Sequence, residues 1–438
     1  MDQSAGIPSY SMPEWGTLKV VGVSPTARDR ALSDELGTDD RKLAIDWLID
    51  GARIQSRSWV GVARFSTFEV QVVPKLAGGS LGVMTMVGYA SGIEALSILA
   101  APRNYNAESG GLADLWCLVL AREAENILLG GPVFDYAWQE SSQPTLRGRL
   151  MMIEQLSRHF GQVDSLECRF EDYSSDVLDN RIVLSGLRAG RAVASDDATS
   201  QRMARLAAAF AEYCGPLELE PDTAEQQVQY NRRNEHYKAA HILSLLLLRN
   251  LQLHDIYSTG YIPAVAFLLD MNPLFEQFAT RLVQSALVSD SIDVVPQRRT
   301  SSIIINEATG HTYSRVIPDM LLTVAGTHRR LPVDAKYKLY DNRTIDPADI
   351  YQVFMYAYAF QSVEVPIPAA MIVYPAETTS TVGARLRVQN VSATQSARLV
   401  SYPLPVIPTL GRIRDRSLLA SSELADLRQA LLQAFSAG

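Results

Sequence analysis

Between residues 272 and 375 the chain changes its hydrophobic period twice, which restricts the folds open to it more than any other feature. The stretch "NPLFEQFATRLVQSAL" (272–287) repeats apolar residues at three and four. That spacing predicts a helix with Leu274, Phe275, Phe278, Leu282 and Ala286 on one inward stripe, Asn272 able to cap it and Pro273 suited to its first turn. "TSSIIINEA", "IPDMLLTVAG" and "RRLPVDAKYK" then read as three antiparallel strands joined by turns. "TIDPADIYQVFMYAYAF" (344–360) returns to helix, with Asp346 at the cap, Pro347 at the first position and Asp349 in the first turn. "AAMIVYP" (369–375) is a short buried strand. The order is helix, antiparallel strands, helix, strand, and it predicts a mixed α+β protein.

At 438 residues the chain exceeds what one core usually holds, so two or three domains are expected. The first hundred residues are β-rich: "SWVGVARFSTFEVQVVPKL" (58–76) alternates as strands do, turns near Ser66 and Thr67, and ends at Pro74. Helical spacing covers 111–129, 146–160 and 225–250, and again 421–435 after two further strands in "ARLRVQNVS" and "ARLVSYPL". "LELEPDT" (217–223) breaks the pattern, so the expected division is an N-terminal β-rich and helical region, 1–220, and a C-terminal domain, 221–438, that includes its leading helix. The chain has no internal repeat.

Hydrophobic residues make up 47% and charged residues 20%, which excludes a disordered or fibrous chain. Cys117, Cys168 and Cys214 are far apart and have no CxxC partner, so they read as small apolar groups in a reducing compartment. The N-terminus lacks the basic start and apolar run of a leader, and the longest apolar run, 239–248, is too short to cross a bilayer. A cytoplasmic protein with no membrane partner is expected. Net charge is −8, yet residues 297–343 hold eight Lys or Arg against four acids, +4, which leaves −12 for the remainder. A basic island in an acidic chain suits a polyanion that touches one region only, although a solvated charged hairpin would give the same count.

The island contains the residues with chemical potential. In an extended strand residues i and i+2 share a side, so Asp334 and Lys336 project together and Val333, Ala335 and Tyr337 face the other way. Asp319 reaches the same edge if the turn through Gly326 and Thr327 folds the two strands back on each other. Two carboxylates and an ammonium then converge. Hard divalent cations such as Mg²⁺ prefer carboxylate oxygens, so Asp319 and Asp334, with the carbonyl of Ala335, could hold one. Lys336 could orient a nucleophile and offset charge on a phosphate, and the product would be phosphodiester hydrolysis. Gln352 and Tyr356, four apart, share a helix face suited to a phosphate or an ordered water, and Glu276 could add a third acid. Taken singly, an Asp-x-Lys triplet is usually a surface ion pair, and Gln and Tyr at helical spacing usually pack; it is the ordered set that favours the functional reading.

That set, "PD", then "DAK" fifteen residues on, then "QVFMY", resembles the PD-(D/E)xK nuclease superfamily in its branch with a Gln-x-x-x-Tyr motif. More narrowly, "VDAKYK", "DIYQVFMYAYAF" and "MIVYP" are similar to the nuclease part of the McrC family of McrBC modification-dependent restriction systems. The segments "VVPKL", "LRGRLMMIEQL", "YSSDVLDNRIV", "NRRNEHYK" and "LLDMNPLFEQFATRLV" match the family in the same order, so the resemblance covers roughly 60–375.

The resemblance implies a C-terminal α/β/α nuclease domain with Asp319, Asp334, Ala335 and Glu276 at metal positions, Lys336 as the catalytic lysine, and Gln352 and Tyr356 as the auxiliary motif. It also implies Mg²⁺, DNA, most simply methylated, as substrate, and an McrB-like AAA+ GTPase hexamer that the N-terminal part engages and stimulates. GTP then belongs to the partner, and no GxxxxGK[ST] occurs here. Arg147 and Arg149 of "TLRGRL", at an expected helix start, read as a structural brace rather than a site for an acidic partner, and the polar helix "NRRNEHYK" reads as an interdomain brace rather than a DNA reader. The first sixty residues and those past 375 depart from the family pattern. Two other readings stay open: a non-cleaving adaptor that activates the GTPase, and a stand-alone RecB-like repair nuclease.

Overall fold

The computed structural model describes residues 7–38, 42–93, 96, 111–161, 164–254, 264–298, 300–338, 340, 344–362, 367–376, 383–392 and 395–436. They form two compact units: residues 1–61, 66–112 and 268–438 make one, and 62–65 with 113–267 make the other. The division expected at 220 does not follow these units. "LELEP" does not leave a core there but turns within one: Leu217 donates its N–H to Ser185 Oγ at 2.8 Å and packs on Ile182, Ala224 and Leu245, and Pro221 opens the helix Pro221–Gln227.

In the first unit a six-stranded sheet runs in the order Ile292–Pro296, Met320–Val324, Arg330–Ala335, Ala369–Ala376, Ser396–Pro405, Arg385–Gln389. The first three strands are antiparallel, the next two join in parallel, and the last returns antiparallel. Ala369–Ala376 is buried along its whole length, which explains its unbroken apolar run. The helix Met271–Ala286 buries the expected stripe, with Phe275 and Phe278 fully enclosed and each stabilising by about 1.5–3 kcal/mol. Its cap is Asp270, two residues before the expected Asn272, and Asp270 accepts the N–H of Asn272 at 3.0 Å. Asp346 caps the helix Pro347–Ala359 as read, and that helix sets Val353 and Ala357 against Ala370, Ile372 and Leu399.

One strand pairing differs from expectation. Thr300–Ile305 does not join Met320–Val324 but pairs with Thr312–Val316 in a separate two-stranded sheet. The cause is local: Asn306 Oδ1 accepts the N–H of Ala308 at 3.0 Å and Gly310 takes φ +69°, closing a hairpin before the chain can reach the larger sheet. Its place is filled by Ile292–Pro296, a half-exposed strand with weak alternation.

The second unit is mainly helical, with Leu112–Gly130, Leu178–Val193, Asp197–Ala211 and Lys238–Asn250 as its longest helices, beside a small sheet of Asp135–Gln143, Leu166–Ser174 and Arg149–Leu150. Two expected helices are shorter. The stretch 146–160 starts as the strand Arg149–Leu150 and is helical only over Met152–Arg158, because Gly148 holds φ +68° and a Cβ there would lie 2.5 Å from the Arg169 carbonyl. The stretch 225–250 is interrupted after Gln227, where Asn234 Oδ1 takes the N–H of Asn231 at 2.7 Å and its Nδ2 donates to Asp179 at 2.8 Å. Cys117, Cys168 and Cys214 are buried free thiols, as read. Among the described residues no helix is long and apolar enough to cross a membrane.

The same interruption leaves His241 fully buried. Its Nε2 lies 3.0 Å from the carbonyl of Asp179, which can only accept, so Nε2 carries the proton and Nδ1 accepts from the Tyr230 hydroxyl at 3.1 Å. Burial pushes the imidazole from 6.5 down to about 4, against the opposing pull of Asp179. The unfolded chain therefore binds this proton below 6.5 and the folded one only below about 4. Its contribution to stability is full above 6.5 and is lost as pH falls through that window. Between pH 7.5 and pH 5, urea titrations should show the wild type losing on the order of 2 kcal/mol relative to His241→Gln; parallel pH dependences in the two proteins would refute the assignment.

Candidate functional site

The register between Met320–Val324 and Arg330–Ala335 pairs Met320 with Val333, so the residues one step outward, Asp319 and Asp334, come side by side. Gly326 at φ +73° and the 3.1 Å bond from Thr327 N–H to the Val324 carbonyl close the turn that produces this register. Asp319 Oδ2 accepts the N–H of Ala335 at 2.7 Å, which ties the two strand ends together. Lys336 stands one residue past the strand, but its N–H donates to the Val373 carbonyl at 2.9 Å and prolongs the parallel ladder. Its Nζ lies 3.0 Å from Asp334 Oδ2.

Asp334 is only 1% exposed, and neither of its oxygens accepts an aligned hydrogen bond, so the lysine offsets its charge without satisfying its lone pairs. Burial, then the charge of Asp334, pushes the Asp319 carboxyl up to about 7 despite the Ala335 N–H. Burial likewise raises Asp334, against the pull of Lys336. For Lys336 burial acts downward, but Asp334, Asp319 and Asp349 together outweigh it and hold the ammonium above the ordinary lysine value. Two adjacent carboxylates, one of them without an aligned hydrogen bond, make a donor set that suits a hard divalent cation.

The other expected members take different places. Glu276 acts on Asp319 through its charge, while its Oε1 accepts from Gln297 Nε2 at 2.8 Å. Among the described residues no three His, Cys, Asp or Glu side chains converge as a ligand group, so Glu276 stands apart from the aspartate pair. Ala335 enters the site through its N–H. Gln352 Nε2 donates to the Tyr356 hydroxyl at 2.8 Å, and that hydroxyl donates to the Ile317 carbonyl at 3.1 Å, two residues before Asp319. The Gln-Tyr pair thus braces the backbone leading into Asp319, and burial raises the phenol above its usual value.

Several contributing residues gave no sequence signal. Lys338 donates to Asp349 at 2.9 Å and Tyr340 bonds the same carboxylate, which compensates a buried acid whose charge reaches Asp334. Glu14 accepts from the Tyr337 hydroxyl at 2.8 Å, next to Lys336 in the chain but more than three hundred positions from Glu14. Arg147 pairs with Asp172 at 2.7 Å and lies over the Phe170 ring, and Arg149 sits in an exposed strand, so "TLRGRL" braces its sheet. "NRRNEHYK" braces too, but within the second unit: Arg233 pairs with Asp135, and Tyr237 donates to Asn180 at 2.7 Å.

Fold and site together define a mixed α+β protein with an aspartate pair and a lysine at the ends of adjacent strands. The chain belongs to the family described as McrBC 5-methylcytosine restriction system component, whose model matches residues 54–375. Its fold is similar to a chain of the solved half-complex from the tetradecameric assembly of Thermococcus gammatolerans McrB AAA+ hexamers with bound McrC, at TM-score 0.60 and 17% identity, over 97% of this chain and 99% of that one. A chain of the Thermococcus gammatolerans McrBC complex matches over 64% of this chain and 88% of that one, at 19% identity and TM-score 0.41. No curated protein matches.

Proposed function

We propose that this chain is the DNA-cleaving subunit of an McrBC-type complex, hydrolysing phosphodiester bonds with Mg²⁺ in DNA that carries methylated cytosine. The observation that carries this reading is the aspartate pair, with the buried carboxylate of Asp334 held by no aligned hydrogen bond and set 3.0 Å from Lys336 Nζ. Asp319 and Asp334 would hold the cation, with the Ala335 carbonyl as a further ligand and Glu276 as an outer acid. Once bound, Mg²⁺ supplies a Lewis acid for a phosphoryl oxygen and lowers the pKa of water.

The chain's own groups divide the remaining work. Lys336 is held protonated by its carboxylate neighbours, so it serves as a fixed cation that orients the nucleophile and offsets charge building on the phosphate, rather than as a base. Gln352 and Tyr356 fix the approach of the Ile317–Asp319 segment. The likeness to a chain of the McrB–McrC assembly supports an McrB-like AAA+ hexamer as partner; GTP would bind there, since this chain has no GxxxxGK[ST], and this chain would stimulate its turnover.

The test compares methylated and unmethylated plasmid with Mg²⁺, GTP, an McrB-type GTPase and either the wild-type chain or Lys336→Ala. Cutting should require GTP, partner and methylation, and fall by about 10²–10³ in the variant. If wild-type chain cuts nothing yet raises GTP turnover, the adaptor reading replaces this one.

A further inference from the structure

We infer a second anion site in the first unit, on the edge of the sheet that carries Asp334, which takes the phosphate groups of a nucleotide or of a nucleic-acid strand. The register of the outer strands places Arg387 directly opposite Arg398, and Arg385 two residues before Arg387 on the same side. Like charges directly opposite each other in an antiparallel pair are destabilising. No ion pair among the described residues neutralises them: neither Arg387 nor Arg398 has a carboxylate within bonding distance, Arg398 Nη1 is buried with no hydrogen bond, and Arg385 donates to the neutral Gln433 at 2.7 Å. A buried guanidinium nitrogen without an acceptor is costly, and planar guanidinium groups match phosphate oxygens in charge and geometry.

These arginines line a cleft of about 970 Å³ between the strands Arg385–Gln389 and Ser396–Pro405 and the helix Ser422–Ser436, a volume within the range of small-ligand sites. Tyr402, Pro403 and Val400 supply an apolar wall against which a ring could lie. The opposite wall carries Glu423 and Asp426; Glu423 is already paired with Arg412 at 3.3 Å, so the lining keeps an excess of positive charge.

The cleft is separate from the aspartate pair. Ala397 and Leu399 face the helix Pro347–Ala359 together with Ile372, the cross-strand partner of Asp334. Alternation then turns Arg398 and Val400 to the other face of the sheet. A ligand here would therefore be held without touching Asp319 or Asp334.

The experiment measures binding of three probes to the full chain in EDTA at constant ionic strength: inorganic phosphate, guanosine monophosphate and a short unmethylated DNA duplex. Wild type, Arg387→Glu, the milder Arg387→Gln and Asp334→Asn are compared. At least one probe should bind wild type and Asp334→Asn alike, and weaken by about tenfold or more in both Arg387 variants. Binding of the mononucleotide would identify a nucleotide site, binding of the duplex alone a strand-backbone contact, and binding of phosphate with neither an isolated phosphate site. No binding of any probe to wild type, or equal binding in the Arg387 variants, overturns the inference. Loss only in Asp334→Asn also overturns it, because the anion would then depend on the aspartate pair.

Discussion

Asp319→Asn should raise the thermal stability of the metal-free protein at pH 8 and, in the same molecule, abolish the DNA cleavage proposed for it. The two effects have one cause. Asp319, half-buried, lies beside the buried Asp334, and desolvation together with mutual repulsion lifts Asp319 from 3.8 to about 7. The folded chain thus keeps a proton that the unfolded chain releases near 4, so this group's contribution is fully present below 3.8 and is lost as pH rises through about 7.

At pH 8 the ionised pair opposes folding, and an amide, which can still accept the Ala335 N–H, removes that opposition. The gain should be on the order of 2 kcal/mol, seen as a rise of a few degrees in a melting scan that shrinks as the pH is lowered toward 4. Mg²⁺ should raise the melting temperature of the wild type and leave that of the variant unchanged, and cleavage should fall by at least about 10³. A variant that melts below the wild type in EDTA at pH 8 would show that Asp319 serves the fold.

The largest loss of stability should come from Glu14→Ala, a position far from the aspartate pair in sequence. Glu14 is 2% exposed, and its Oε1 accepts the N–H groups of Lys75 and Leu76, at 2.6 and 3.2 Å, and the Tyr337 hydroxyl at 2.8 Å. Removing the carboxylate leaves three donors without an acceptor, those of Leu76 and Tyr337 buried, a cost of about 2–4 kcal/mol in urea titration. Glu14→Gln keeps an acceptor and should lose less than about 1 kcal/mol. Burial already pushes the Glu14 carboxyl up, so the neutral amide is a close substitute. If alanine and glutamine variants unfold at the same urea concentration, the hydrogen bonds to Glu14 are not what holds the segment.

Much of this was readable in the chain because it depends on neighbours. Asp346 and Pro347 announce the helix Pro347–Ala359 through an Asp side chain that bonds two residues ahead and a ring that fixes φ. The stripe from Leu274 to Ala286 follows from 3.6 residues per turn. Asp319 and Asp334 meet because a tight turn returns one strand beside another, and such a turn leaves its mark in Gly326 and Thr327. The same logic misled where local conformation competed: Asn231 and Asn234 interrupt a helix that apolar spacing alone would continue, and Gly148 delays the start of another to Met152.

The sequence by itself determined the aspartate pair, the lysine beside it and the helices around them, since each rests on spacing within a few residues or on one hairpin. Only the tertiary structure decided that Ile292–Pro296 rather than Thr300–Ile305 borders Met320–Val324, that 217–223 lies inside a compact unit, that Glu14 holds Tyr337, and that Arg387 faces Arg398. Those contacts join segments whose own patterns do not depend on one another, so the energy that selects them appears only when the partners are packed together.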